Sequence, residues 1–489
     1  MILFIFNDKP SWVKVQYEND FQRQELKKFL TIKIPGAQYT AKYRSHQWDG
    51  TKCFLNRFNE TFPIGFLYRV VKQFPDVKII DKREYLPIPF KVPDVHGIKL
   101  RMYQKEGMLY AFEHKNCLIQ AATNAGKSAM MAGLIQLLWQ EKIIILVHRK
   151  ELLLQLRLML MEGSGRNVGY VMADDVSIDP YVNIVMVMTM LKRIEADPNV
   201  RHMYENSRVM MVDEAHHMKA ETHLALLRRS KAVYRFGMSG TIPDEGTYDG
   251  WMCRQFIGDV VFNISNKELI DQGISAEPMI YMIKHYHHID YHQIVEDIRA
   301  DNASKGITYP TPWKEREEVY KRVFAKVLQE HIVRNDDRSM KVVEKVANEY
   351  KDRQTLIVVD YLDHGQRLYD LLEPRIGEDN VDFIHGLADT REGSLADFRK
   401  GTLRVLISSS IIDEGIDISR IQMLVLAGGK KSKRQILQRI GRGLRRKTGE
   451  NVVVILDIFD LDKKYLERHS KERLKLYNKE GFHVEILES

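Results

Sequence analysis

The chain has 489 residues, 44% of them hydrophobic and 29% charged, with a formal net charge of +8 and a pI near 9.0. This length fits about three domains at roughly 150 residues each, and the basic balance favours a polyanionic partner. Cys53, Cys117 and Cys253 lie far apart with no CxxC, which excludes a disulfide framework and a cysteine-based zinc site and points to a reducing, cytoplasmic setting.

The apolar opening Ile2–Phe6 lacks a basic flank, a long apolar core and a small-residue cleavage site, so it reads as a first strand and not a signal peptide. No apolar run approaches the roughly 20 residues that span a bilayer, and no membrane partner is expected. Residues 1–90 combine strand-like runs at Ile2–Phe6, Val13–Tyr17 and Val77–Ile80 with one amphipathic helix over Phe21–Leu30, a small α+β domain. Its Lys42, Tyr43, Arg44, Trp48, Lys52 and Arg57 are candidates for phosphate binding and base stacking, although Trp48 and Phe54 serve equally well as core for so small a unit. Three prolines between Leu86 and Pro93 rule out regular structure and mark a linker.

From residue 95 to 280 short β-branched runs (Cys117–Gln120, Ile143–Val147, Ile184–Val187, Val209–Val212) alternate with helical patterns, which predicts βαβ units and a parallel sheet. The pattern lapses over 281–335, read as a polar connecting segment. It resumes over 336–489 with Thr355–Val359, Val381–Ile384, Val405–Ser408, Met423–Leu426 and Val452–Leu456. The fold class is therefore α/β: two parallel-sheet domains in tandem behind the small N-terminal one. The run His285–His292 resembles a metal cluster, and period-two spacing puts some imidazoles on one strand face. No cysteine is near and edge histidines are commonly solvent-exposed, so no metal is expected there.

The segment Ala121-Ala-Thr123-Asn124-Ala125-Gly126-Lys127-Ser128, with Ala129 behind it, follows a strand and opens a helix, the context of a phosphate-binding loop. Small residues expose backbone N–H groups to phosphate oxygens, and the helix N-terminus adds positive potential. Lys127 reaches the β- and γ-phosphates and the Ser128 hydroxyl ligates Mg²⁺. Ala121 stands where the strict pattern has a glycine. Downstream, the apolar run Met210–Val212 ends in Asp213-Glu214-Ala215-His216, which puts two carboxylates at the C-terminal edge of a sheet. Asp213 is placed to hold Mg²⁺ and Glu214 to orient and deprotonate water.

Together with Ser239-Gly-Thr241 and Gln438-Arg-Ile-Gly-Arg442-Gly-Leu-Arg445, these motifs come in the order of the superfamily-two helicases, which the chain resembles over residues 100–460. The resemblance implies two RecA-like domains with ATP hydrolysed between them and Mg²⁺ as cofactor. Residue by residue it makes Gln104 an adenine reader, Ser239 and Thr241 the link from ATP site to nucleic acid, and Gly415 and Asp417 nucleotide-facing. It makes Arg442 and Arg445 arginine fingers in a catalytic motif with Gln438, and Arg149, Thr189 and Ser408 backbone-phosphate contacts. Lys430 and Lys431, in the densest basic run, would line the nucleic-acid groove. A guanidinium fork stabilises the charge of a departing γ-phosphate, and supplying it from another domain makes hydrolysis depend on closure. In Tyr43-Arg44, Trp48-Asp-Gly50 and Phe62-Pro-Ile-Gly-Phe66 the N-terminal region is similar to the bacteriophage UvsW-type helicases. That implies a monomeric DNA motor acting in the host cytoplasm on forks, Holliday junctions, R-loops and D-loops, with single- and double-stranded arms and RNA–DNA hybrid as partners. The competing readings are a double-strand translocase of a restriction complex and an ATP-gated nucleic-acid clamp, and action on RNA stays open because 2′-OH contacts are not legible in such motifs.

Overall fold

Among the described residues three larger sheets and a two-stranded ribbon, Thr31–Lys33 with Thr51–Cys53, carry the molecule. In the computed structural model residues 1–88, 92, 95, 97–385, 391–409, 421–430, 432, 436–437, 439–441, 444, 447, 451–462 and 464–488 are described. The chain divides into two compact units, Met1–Ile264 and Ser265–Ser489. Among the described residues no helix is long and apolar enough to cross a membrane.

The main sheet of the first unit has the strand order Val176–Ser177, Gly169–Val171, Val182–Met186, Ile143–Val147, Val209–Asp213, Tyr234–Ser239, Asn116–Ala121, Val260–Ile264. All neighbours are parallel except the first pair. Ile143–Val147 is buried along its whole length, as a strand covered on both faces must be, which explains its unbroken apolar run. The registers Asp213↔Met238 and Ser239↔Gln120 bring the C-terminal ends of three neighbouring strands level. Every candidate nucleotide residue of this unit except Gln104 follows from that alignment.

The N-terminal sheet runs Thr61–Pro63, Trp12–Gln16, Ile2–Ile5, Lys78–Asp81. Its apolar face does not close on itself: Leu3, Ile5, Val13, Val15 and Phe62 share one core with Met252, Phe256 and Ile257. Gly65 is the tightest point of that union. Its N–H donates to the Gln255 carbonyl at 3.0 Å, and a Cβ there would sit 1.9 Å from the Arg254 oxygen. Arg235, 0% exposed, donates to Ser11 Oγ at 2.6 Å. Arg69 pairs with Asp259 at 2.5 Å.

In the second unit every strand pair is parallel, in the order Val381–Ile384, Val405–Ser408, Thr355–Val358, Met423–Leu426, Val452–Leu461, Glu277–Tyr286, His483–Leu487. The strand Glu277–Tyr286 is a departure from the expected plan, which split these residues between the first α/β domain and the connecting segment. Pro278, Ile280 and Met282 alternate toward one face and Ile283 and His285 toward the other, and it pairs over its whole length with Val452–Leu461. His285 therefore sits on an interior strand and His287 just past its end, 5% and 9% exposed, and not on a solvent-exposed edge. The rest of 281–335 is chiefly two helices, Tyr291–Ser304 and Pro312–Leu328, packed through Ile294, Ile298, Val319 and Val323 onto Leu466.

Candidate active site

The strand Asn116–Ala121 delivers the chain to the phosphate loop, and helix Lys127–Leu137 leaves it. Asn124 and Gly126 carry φ of +75° and +79°, the left-handed conformation that curls a loop around an anion. At Gly126 a Cβ would meet Gln104 Nε2 at 2.3 Å, so only glycine fits. Ala121 is the last residue of a regular strand, paired with Ile264, so the alanine in place of a glycine imposes no strain. Thr123, Asn124, Lys127, Ser128 and Ala129 are partly exposed, and Ala125 is buried.

Gln104 is 2% exposed, and its amide is already engaged. Oε1 accepts from the Arg101 N–H at 2.8 Å, and Nε2 donates to the Ala125 carbonyl at 2.8 Å. Tyr103 Oη donates to the same carbonyl. The expected adenine reader thus braces the phosphate loop, because capping its own helix draws the side chain inward.

Asp213 and Glu214 stand at the end of the next strand but one. Glu214 takes φ 49° and ψ 53°, a conformation rare for a non-glycine residue and found at functional sites. It aims Oε1 at Lys127 Nζ, 3.9 Å away. Oε2 accepts from Ser239 Oγ at 3.2 Å and lies 3.2 Å from His216 Nδ1, which is 2.8 Å from Ser239 Oγ. The Thr241 N–H donates to Ser239 Oγ at 3.2 Å. Lys127, Glu214, His216, Ser239 and Thr241 are thereby one connected set. Burial opposes the charge on Glu214, but Lys127 first, then His216 and Ser239, outweigh it and hold the carboxyl below its ordinary range. Burial, then the Glu214 charge, pushes Asp213 the other way. Two hard-oxygen groups, the Asp213 carboxylate and the Ser128 hydroxyl, fit a small divalent cation.

Two participants were not singled out by the motifs. Gly240 lies against the phosphate loop: a Cβ there would come within 3.5 Å of the Ala121 carbonyl and 3.9 Å of Lys127 Nζ. His216 bridges Glu214 and Ser239. Both roles depend on strand register, which no local pattern carries.

The expected nucleic-acid contacts divide. Arg149 is exposed at the start of helix Lys150–Ser164. Thr189 Oγ1 donates to the Met186 carbonyl. Lys430 Nζ lies 4.8 Å from the Tyr361 ring. Ser408 is corrected: it is 0% exposed and donates to the Ser409 carbonyl, since the last position of an interior strand leaves it no open face. Lys431, Gly415, Asp417, Gln438, Arg442 and Arg445 lie outside the described residues. Between the latter, Arg439 pairs with Asp360 at 2.9 Å. In the N-terminal region Lys42, Tyr43, Arg44 and Arg57 are exposed. Trp48 Nε1 donates to the Thr51 carbonyl, and Lys52 folds over Phe54.

Comparison with known proteins agrees with this geometry. Residues 97–244 match the family model described as type III restriction enzyme, res subunit, and residues 338–447 match helicase conserved C-terminal domain. The chain is 22% identical over 508 residues to the ATP-dependent DNA helicase uvsW of Enterobacteria phage T4, covering 94% of each. It is also 22% identical to the DNA 3'-5' translocase XPB2 of Sulfurisphaera tokodaii, covering 80% of this chain and 89% of that one. Among solved structures, the Type ISP restriction-modification enzyme LlaBIII bound to DNA shares the fold with a TM-score of 0.55 at 13% identity, over 80% of this chain and 31% of that one. Matched in tandem by the restriction res-subunit model and the helicase C-terminal model, the chain belongs to the superfamily-two helicases and is an ATP-dependent enzyme of the DNA helicase and translocase kind.

Proposed function

We propose that the enzyme uses ATP hydrolysis at the edge of the first unit's sheet to move on DNA and to remodel branched DNA: forks, four-way junctions and R-loops, the last bringing an RNA–DNA hybrid as a further partner. It acts as a monomer in the cytoplasm. The observation that carries the reading is the set Lys127–Glu214–His216–Ser239–Thr241. A clamp that only bound ATP would have no need to hold a water-orienting carboxylate charged and to tie it to the segment that leaves the site.

In this account the loop Thr123–Ala129 cradles the phosphates and Lys127 faces the γ-phosphate. Ser128 and Asp213 hold Mg²⁺, which supplies charge neutralisation at the phosphates. Glu214 orients the attacking water. Any gain in order at Glu214 passes through Ser239 to Thr241, because one hydroxyl serves both. Arg442 and Arg445, in the motif with Gln438, stabilise charge on the departing phosphoryl group, and Gly415 and Asp417 face the nucleotide. Arg149, Thr189, Lys430 and Lys431 grip the backbone without reading sequence. The names of the T4 and Sulfurisphaera relatives, both DNA enzymes, favour DNA over RNA.

The match to the restriction-subunit model favours a second reading, a double-strand translocase that does not part strands. Two assays on one preparation separate them: conversion of a labelled four-way junction to duplex products, and displacement of a third strand from linear duplex. Junction conversion supports the first reading. Third-strand displacement without junction conversion replaces it with the second.

A further inference from the structure

The N-terminal sheet has a second face. Alternation sends Leu3, Ile5, Val13 and Val15 into the shared core and leaves Phe4 and Phe6 only partly covered on the opposite side, beside the exposed Lys14. Register sets Phe4 against Lys14 on one side and Ile80 on the other. The rings of Phe4 and Phe6 are parallel within 9°, their centroids 6.2 Å apart, and Lys82 Nζ stands 5.3 Å from the Phe6 ring. At the end of this face Phe6, Lys9, Trp12, Lys14, Asn56 and Asn59 border a concavity of 570 Å³. The turn between Asn56 and Asn59 carries Arg57 and the fully exposed Phe58, at 102%.

The charge on this face is mostly positive. Lys9, Lys14, Lys78 and Lys82 are exposed, and none joins an ion pair among the described residues. Asp8 borders the concavity, while Asp81 is taken by Arg83 at 2.8 Å. Ring faces with unpaired ammonium groups around them match single-stranded nucleic acid, whose bases stack on aromatics and whose phosphates need cations. A duplex hides its bases, so the rings would have nothing to stack on. A protein partner would have to bring a row of carboxylates and an apolar surface together.

We propose that this face, through Phe4, Phe6, Phe58, Lys14 and Lys82, binds single-stranded nucleic acid. The proposal rests on the motor reading above, for which it supplies a hold on a strand that has left the duplex.

The test uses the full chain and a fluorescein-labelled 20-nucleotide oligothymidylate, read by anisotropy across a salt series. Phe4→Leu/Phe6→Leu should weaken binding about tenfold or more, the scale for losing stacking of one to two bases. Because those two side chains are partly buried, Phe58→Ala and Lys14→Gln, both at exposed positions, serve as variants that leave the core intact. Phe58→Ala should weaken binding by about fivefold or more. Lys14→Gln should make the slope of log K against log salt shallower by about 0.7. Wild type failing to bind the oligonucleotide, or Phe58→Ala and Lys14→Gln both binding with wild-type affinity and salt slope, overturns the platform. Wild-type ATPase is measured alongside with and without junction DNA: absence of stimulation there overturns the motor reading, and the anisotropy result still decides the platform by itself.

Discussion

The two units each hold a network of charged side chains, and the networks are built for opposite ends. At the edge of the first unit Glu214 is partly exposed and shares its oxygens among Lys127, His216 and Ser239 over distances of 3.2–3.9 Å. In the second unit Asp460 is 1% exposed and takes Arg338 at 2.7 Å and His287 Nε2 at 2.9 Å. Burial works against that carboxylate, but Arg338 and then His287 hold it well below the usual range. Asp457 is likewise closed off by Arg473 at 2.9 Å and by Tyr477 Oη. The first network is loose and open to a ligand. The second is closed over by protein groups, and its expected role is structural. Clustered titratable residues are therefore a sign of function only where the fold leaves one side of them unclosed.

The largest effect expected on the catalytic side of this comparison is at Arg442. Arg442→Ala should leave ATP binding intact and lower kcat by about 10³, the scale for losing an arginine finger; single-turnover hydrolysis beside nucleotide titration checks it, and an unchanged kcat removes Arg442 from the role. On the structural side, Asp460→Asn should cost about 3–5 kcal/mol, as removal of one partner from a buried pair does. Urea unfolding measures it, and ATPase per folded molecule should stay at the wild-type level. Reduced turnover in a stably folded Asp460→Asn protein would break the contrast between the two networks.

His216→Ala sharpens the contrast at lower amplitude. It removes the imidazole that touches both Glu214 and Ser239 and leaves only their direct bond, so DNA stimulation of kcat should fall about tenfold, within the usual range of coupling energies, with KM for ATP little changed. Equal loss with and without DNA would make His216 a plain support for Glu214. The smallest effect is on stability against pH. Burial, then His148 and His216, lowers His223 to about 4, and His217 stacks near it. The folded pKa lies below the ordinary value near 6.5, so between these values the unfolded chain binds more protons. Stability is then full above about pH 6.5 and falls toward pH 4 by at most about 1.4 kcal/mol per unit. His223→Gln should flatten that slope in thermal melts.

What could be seen in the sequence was what is local. The phosphate loop is a contiguous strand, turn and helix, and the two acids end an apolar run, so both were legible with their chemistry. Several inner strands, such as Ile143–Val147 and Val405–Ser408, were legible for the same reason, as apolar runs, whereas the inner strand Tyr234–Ser239 was not read, since Tyr-Arg-Phe-Gly-Met-Ser has no such run. Strand Glu277–Tyr286 was missed although Pro278-Met-Ile-Tyr-Met-Ile283 is apolar, because the histidines after it suggested an exposed segment. His287 finds Asp460 only through the pairing of two strands distant in sequence. Gln104 and Gly240 act on the phosphate loop through packing that spacing does not encode. The N-terminal region offered strands and a helix but no sign that Leu3, Val13 and Phe62 complete a core with Phe256. Deleting residues 1–90 is consequently a test of folding, since it strips Ser11 from buried Arg235.

The most direct test of the central claim is steady-state ATPase of wild type and Lys127→Ala with no nucleic acid, single-stranded DNA, duplex DNA, a four-way DNA junction and RNA. The account predicts strong stimulation by junction DNA in the wild type and none in Lys127→Ala, which lacks the cation facing the γ-phosphate. Turnover that no polymer stimulates, or that survives in Lys127→Ala, would contradict it.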